Sequence, residues 1–169
     1  MSNFIRADVG RALVAQRLIG SSEVHLAWGN GDPSWSAGPP DLDGSETGLH
    51  AEVGRRRATE VVYVVPAADG AIDVGAAGKY DYSPSNDPTG FILCRFEFNL
   101  DEGVGEDIKE VGIFFDTVID GAVPPGQDYI LPADVVDPGV LFTRANLAPA
   151  EQFTVSGLVR PAWRYIFAA

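Results

Sequence analysis

The sequence has little of the side-chain chemistry from which metal centres and catalytic triads are built. Its 169 residues include one cysteine, Cys94, and two histidines, His25 and His50. A single cysteine excludes an internal disulfide framework and a cysteine-based zinc site. The same scarcity argues against metal-dependent and triad chemistry. We therefore expect no metal and no cofactor, and interpret both histidines as structural.

Basic residues are also scarce. Lys and Arg total 12 against 24 Asp and Glu, which gives a formal net charge of −12. A chain of this charge repels phosphate backbones and anionic lipid surfaces, so we expect neither nucleic acid nor a membrane as partner. No run approaches the roughly 18 apolar residues of a membrane span. The start also lacks the apolar stretch of a signal peptide, so we expect a protein that is made in a cytoplasm and stays soluble there.

Apolar residues and turn formers are abundant. Hydrophobic residues make up 46 % of the chain, which is enough for a folded core. The 19 glycines and 12 prolines exceed the average combined share of about 12 % of residues, which indicates many turns. The length fits one ordinary domain.

The hydrophobic pattern predicts one helix followed by a series of strands. Apolar residues recur at helical spacing over residues 3–19, and Gly20 stands at the stop position. The sequence predicts strands at Ser22–Trp28, Ala58–Pro66, Gly90–Leu100, Ile108–Phe115, Val140–Leu147, Phe153–Val159 and Trp163–Phe167. We expect Val140–Leu147 and Phe153–Val159 to form a hairpin-like pair, and Thr47–Val53 to form a short helix.

This order of elements predicts an α+β, mainly β fold. The N-terminal helix precedes an antiparallel β-sandwich-like domain with long Pro/Gly loops. We divide the chain into a helix at residues 1–20, which packs on or exchanges with neighbours, and one β-rich structural domain at residues 21–169.

Motifs that carry chemistry are incomplete. Gly29-Asn30-Gly31 follows a strand, but no third glycine or helix follows it, so a plain turn is the better interpretation. Asp41 begins a calcium-loop spacing that has Glu46 where glycine is required. The adjacent loop acids Asp101 and Glu102 do not present two carboxylates across a cleft, as glycosidases need. No catalytic residue is predicted.

Candidate contact residues lie in the basic run and in two Pro/Gly-rich loops. Arg55-Arg56-Arg57 is the one basic cluster, and it favours intramolecular pairing or docking to an acidic neighbour. Residues 29–45 and 121–132 carry Trp35 and Tyr129, the residue types enriched at interface centres. We predict Trp35, Arg55, Arg56 and Tyr129 as interface residues. For Trp35, packing onto its own domain is an equal alternative.

Three segments of the chain resemble a known family in the same order. They are Leu26–Gly31 (LAWGNG), Thr47–Arg56 (TGLHAEVGRR) and Ile108–Phe114 (IKEVGIF). Together they resemble the tail-collar fibre type, the N-terminal baseplate-attaching domain of phage tail fibre proteins. The second and third segments carry charge in apolar surroundings, so we predict structural pairs of Glu52 with Arg55 or Arg56 and of Lys109 with Glu110.

The resemblance implies a structural protein of a phage tail or baseplate in a Mu-like or contractile-tail virion. It would act as an adaptor or fibre-attachment component, with other tail and baseplate proteins as partners, and as a homo-oligomer. It would be assembled in the host bacterial cytoplasm. A complete fibre protein would continue into a long, repetitive trimeric shaft. The sequence has no such shaft, so we expect the adaptor. One alternative is a carbohydrate-binding β-sandwich module that stacks Trp35 on a sugar. A small acidic enzyme is the other.

Overall fold

The computed structural model describes residues 7–21 and 23–169, and these form a mainly β chain with a helix at its start. The helix α1 covers Asp8–Ser21, and fourteen strands follow in the described residues. The strand pairs given by the register are all antiparallel. The predicted fold class is confirmed. No helix in this described part is long and apolar enough to cross a membrane.

The strands are short, as expected of a chain with many turns. In chain order they are β1 (Val24–Gly29), β2 (Glu52–Arg57), β3 (Glu60–Pro66), β4 (Ile72–Asp73), β5 (Lys79–Tyr82), β6 (Phe91–Glu97), β7 (Asp107–Ile108), β8 (Glu110–Phe115), β9 (Val118–Ile119), β10 (Tyr129–Ile130), β11 (Val135–Asp137), β12 (Val140–Asn146), β13 (Phe153–Thr154) and β14 (Ala162–Ala168).

The chain divides into two compact units. The first comprises the described part of residues 1–22 with residues 59–95 and 163–169. Its sheet has the order β14-β6-β3-β5-β4, and the core contains Val64, Ile72, Tyr80 and Leu93. The β-branched run of β3 supplies this core because such side chains pack well on a pleated surface. The start of the predicted helix, at residues 3–6, lies outside the described residues.

The second unit comprises residues 23–58 and 96–162. Its main sheet has the order β10-β2-β1-β8-β12, and two smaller pairs join β9 with β11 and β7 with β13. All six residues of β1 are buried, so both faces of this central strand are covered. The division predicted from the sequence, a helix at residues 1–20 and one domain at 21–169, stays a prediction.

Two local predictions were wrong. The hairpin of Val140–Leu147 with Phe153–Val159 does not form, because β12 pairs with β8 and β13 pairs with β7. The short helix at Thr47–Val53 does not form either, and β2 begins within that segment. Its backbone N–H groups at His50 and Ala51 bond to a distant carboxylate instead of to a preceding turn.

Candidate functional site

Glu110 on β8 is the centre of a buried polar cluster in the second unit. Its side chain is fully buried. One carboxylate oxygen, Oε2, accepts the backbone N–H of His50 at 2.9 Å, and Oε1 accepts that of Ala51 at 2.7 Å. The Arg144 guanidinium donates to Oε2 at 2.8 Å. Glu110 therefore fastens the end of the long loop at residues 30–51 to the sheet.

The neighbouring strand β12 holds the same loop at two further points. Arg144 Nη1 donates to the carbonyl oxygen of Gly48 at 3.1 Å, and Nη2 donates to Asn146 Oδ1 at 3.2 Å. Asn146 Nδ2 in turn donates to the carbonyl oxygen of Pro40 at 3.1 Å. Backbone groups in the middle and at the end of the loop thus meet side chains from the sheet.

The start of the loop approaches its end closely at Gly29. A Cβ atom at this position would lie 2.5 Å from the carbonyl oxygen of Ala51 and 2.7 Å from Glu110 Oε1. The backbone N–H of Asn30 donates to that same carbonyl at 2.9 Å. The first glycine of the LAWGNG segment, Gly29, is therefore required because the fastened loop occupies the space where a Cβ atom would lie.

Trp35 packs onto its own chain within this loop. Only 8 % of the residue is exposed. A Cβ atom on Gly31 would lie 2.4 Å from the indole ring, and the imidazole of His50 lies 5.8 Å from it, centroid to centroid. His50 Nε2 lies 3.2 Å from Asp32 Oδ2, and hydrogen bonds from Ser34 lower the pKa of Asp32. The indole thus covers the first turn of the loop.

The loop tip between these contacts is exposed and acidic. Asp41 and Asp43 are exposed. Asp43 Oδ1 accepts the hydroxyl of Ser45 at 2.6 Å and the N–H of Ser45 at 2.8 Å, and these two bonds lower the pKa of Asp43. Glu46 accepts the N–H of Gly44 at 3.0 Å. The tip therefore has a defined backbone conformation while its carboxylates face solvent.

Arg55 on β2 forms a second buried cluster. Its Nε and Nη2 donate to the two oxygens of Glu52 at 2.8 and 2.7 Å. Its Nη1 donates to Thr117 Oγ1 at 2.8 Å and to the carbonyl oxygen of Pro138 at 3.0 Å. The guanidinium also lies 4.5 Å from the ring centroid of Phe114. Arg55 thus joins β2 to the turn before β9, through Thr117, and to the turn after β11, through Pro138.

Arg56 points to the opposite side of β2 from Arg55, because successive side chains of a strand alternate. It forms an ion pair with Glu102, and Asp128 Oδ2 lies 3.7 Å away. Nearby, Trp28 Nε1 donates to the hydroxyl of Tyr129 at 3.1 Å, and burial raises the pKa of that hydroxyl. A polar cavity of about 410 Å³ borders this cluster.

His25 on β1 lies opposite Arg57 of β2 and Phe114 of β8. The residue has no exposed surface, and neither ring nitrogen has a hydrogen-bond partner among the described residues. Burial, reinforced by the charges of Arg55 and Arg57, lowers the pKa of His25 to about 4. The imidazole is therefore neutral at pH 7.

The structure distributes the residues predicted from the sequence over these clusters. Glu52 lies against Arg55, whereas Glu110 lies against Arg144, and Lys109 bonds through its backbone to Gly29 and Leu147. The predicted interface residues Trp35, Arg55 and Arg56 are buried, and Tyr129 is half-buried. Their interface role stays a prediction.

Sequence reasoning missed Arg144 and Thr117, and it considered Glu102 only as a loop acid and not as the partner of Arg56. Each lies 34 to 62 residues from its partner in the chain, so no local spacing indicated the pair. A usable signal for Arg144 was present: it is the one cation in an otherwise uncharged predicted strand. A charge at such a position needs a buried partner.

Side chains of the metal-ligating types and the cysteine thiol each have a defined place in the described residues. Within residues 7–21 and 23–169, no group of three or more His, Cys, Asp or Glu side chains is placed to hold a metal ion. Burial raises the pKa of the Cys94 thiol to about 12, so it stays protonated. The buried charges in the second unit hold loops and strands in place.

Comparison with known proteins identifies the family. A search of curated proteins found no match. The family model described as baseplate wedge 3 tail fiber network component matches residues 5–160. This match confirms the expectation of a structural protein related to phage baseplates and tail fibres, with other baseplate proteins as partners and a place in the virion tail. The chain belongs to the family of baseplate wedge 3 tail fiber network components.

Proposed function

We propose that this chain is an adaptor that attaches the tail fibre network to the baseplate, with the loop at residues 30–51 as its contact surface. One observation carries the proposal: the buried pair of Glu110 and Arg144 holds this long Pro/Gly-rich loop in one conformation. A loop that is ordered before binding loses less conformational entropy in a complex. The acidic, exposed tip around Asp41 and Asp43 is the part that a neighbour can reach.

The four residues predicted from the sequence as interface residues contribute to this function as buried supports of the fold: Trp35, Arg55, Arg56 and Tyr129. Their burial favours a role in holding the contact surfaces rather than in touching a neighbour directly. Burial of Trp35 also weighs against the carbohydrate-binding alternative, since stacking on a sugar needs an exposed aromatic face. We infer a non-enzymatic role, which the structural character of the family supports.

We further propose that several copies act in each virion and that they assemble in the host cytoplasm. Mass spectrometry of purified particles tests this part, because a fixed number of copies per particle greater than one is expected. A protein missing from mature particles would defeat the proposed baseplate function as a whole.

A charge reversal at the loop tip tests the adaptor function directly. Asp41→Lys changes an exposed side chain, so we expect unchanged thermal unfolding of the isolated protein and at least tenfold less protein in purified virions. Asp69→Lys, an exposed reversal in the first unit, is the matched control and should incorporate normally. Normal incorporation of Asp41→Lys would show that the loop tip is not the contact.

A further inference from the structure

The strand β12 is an edge whose exposed side chains are all apolar. It ends the main sheet of the second unit, and its exposed residues are Val140, Phe142 and Ala145. Val140 is 63 % exposed and Phe142 is 43 % exposed. The one charged residue of the strand, Arg144, points inward to Glu110. The outward surface of this edge therefore carries no charged side chain.

Such an edge can pair with another strand. An antiparallel strand directs alternate N–H and C=O groups to each side, so the outer side of β12 presents a row of them. Natural proteins protect such edges with lysines or other outward charges, which β12 does not have. A register shift separates Leu141 from Thr143, and the pairing with β8 is regular from Thr143 to Asn146. The regular half, Thr143–Asn146, offers backbone N–H and C=O groups for pairing, whereas the first half offers the apolar side chains of Val140 and Phe142.

Acidic residues border the start of this edge. From Glu110 to Thr143 the sequence has six carboxylates and no lysine or arginine. Asp116 follows Phe115, the residue that pairs with Val140, and Asp137 ends β11. Both carboxylates are exposed. The start of β12 is therefore an apolar surface in a negative field.

These acidic turns have a fixed geometry. Arg55 donates to Thr117 Oγ1 and to the carbonyl oxygen of Pro138, one from each turn. Gly139 has φ +75°, and a Cβ atom there would lie 2.1 Å from the carbonyl oxygen of Phe115. The two turns are thus packed against each other at the point where β12 begins.

We propose that β12 is the docking edge for an extended apolar segment of another baseplate or fibre protein, whose flank beside Asp116 and Asp137 carries lysine or arginine. This inference rests on the proposed adaptor function and names a second contact surface for it. Backbone hydrogen bonds along Thr143–Asn146 supply affinity, and the apolar side chains of the partner segment pack against Val140 and Phe142. The basic flank sets orientation. A second copy is a poor occupant, since two chains of net charge −12 repel.

Hydrogen exchange measured on purified virions and on the isolated protein tests the docking edge. We expect amide exchange in residues 143–146 to slow at least tenfold in the virion. Unchanged exchange in virions that contain the protein would overturn this inference and leave the adaptor function standing. Absence of the protein from virions would instead overturn the adaptor function. Cross-links that join β12 to β12 of a second copy would overturn the proposed partner.

Two double variants separate the apolar edge from its acidic border. Val140→Lys with Ala145→Lys should reduce incorporation at least tenfold, whereas Leu158→Lys with Val159→Lys, both highly exposed in the same unit, should not. Thermal unfolding of each isolated protein checks that the variants fold.

The second double variant removes the charge of the acidic border. Asp116→Asn with Asp137→Asn should lower incorporation severalfold, because it removes the two charges that face the basic flank of the partner. The variant should keep the fold, since asparagine accepts the positive φ of 60° at position 116. Normal incorporation of the asparagine variant would overturn the basic flank, and normal incorporation of the lysine pair at positions 140 and 145 would overturn the edge.

Discussion

Glu110 and Arg144 lie 34 residues apart in the chain and form a buried ion pair with an oxygen–nitrogen distance of 2.8 Å. The Glu110 side chain has no exposed surface, and that of Arg144 is 10 % exposed. Glu110 also accepts two backbone N–H groups, so its carboxylate holds three hydrogen bonds, one on Oε1 and two on Oε2. The pair therefore couples the order of a long loop to the pairing of two strands.

Removal of the Glu110 charge should destabilise the protein strongly. In Glu110→Gln the buried Arg144 loses its counter-ion, and loss of one partner of a buried pair costs about 3–5 kcal/mol. Urea unfolding measures the change. Asp69→Asn, an exposed neutralisation, should stay within about 0.5 kcal/mol of the parent. An unchanged unfolding midpoint for Glu110→Gln would contradict the role of this pair.

Glu52 should matter for the same reason in the second cluster. Its side chain is 16 % exposed, and that of Arg55 is 1 % exposed, so Glu52→Ala leaves a guanidinium buried without its carboxylate. We expect a loss of roughly 3–5 kcal/mol in unfolding free energy, measured by denaturant titration. A Glu52→Ala protein that keeps full stability and normal assembly would show that the pair is dispensable.

Truncation of Trp35 should lower the stability of the isolated protein. The indole fills the space over Gly31, and Trp→Ala changes at buried sites cost about 3–5 kcal/mol. Thermal unfolding measures the effect, and Trp35→Phe should recover part of it. The opposite pattern, unchanged unfolding with reduced incorporation into virions, would assign Trp35 to an intersubunit contact.

A methyl group at Gly29 should force the loop away from the sheet. Gly29→Ala places a Cβ against the backbone of Ala51 and against Glu110, an overpacking that costs about 1–3 kcal/mol. Gly48→Ala, on the same loop, meets no atom within 4 Å and is the matched control. Equal melting temperatures for the two variants would mean that the close approach at Gly29 is unimportant.

The stability should depend on pH through His25. Its pKa is about 4 in the folded protein against 6.5 for an ordinary histidine, so the unfolded chain binds the proton more readily. The neutral His25 therefore makes its full contribution to the free energy of unfolding above pH 6.5. This contribution, about 3 kcal/mol in total, is lost as the pH falls to 4. His25→Leu should remove this part of the pH dependence. Parallel stability profiles of the two proteins between pH 7 and 4 would contradict the assignment.

The sequence alone determined the fold class and the family resemblance. Alternation of apolar and polar residues predicted β1 and β6 close to their observed bounds, and a β-branched run did the same for β3, because both signals are local in the chain. Three segments carried the resemblance, and residues from two of them, LAWGNG and IKEVGIF, meet in the second unit, where Gly29 lies beside Glu110.

Only the tertiary structure decided which charges pair and which strands neighbour each other. The sequence predicted Lys109 as the partner of Glu110, and the structure places Arg144 there. Adjacent residues of a strand point to opposite faces, whereas the register of β8 with β12 brings a distant arginine to the same face. The free energy of a buried charge depends on the dielectric and the donors around it. Strands that are distant in the chain supply both, so local spacing could not reveal them.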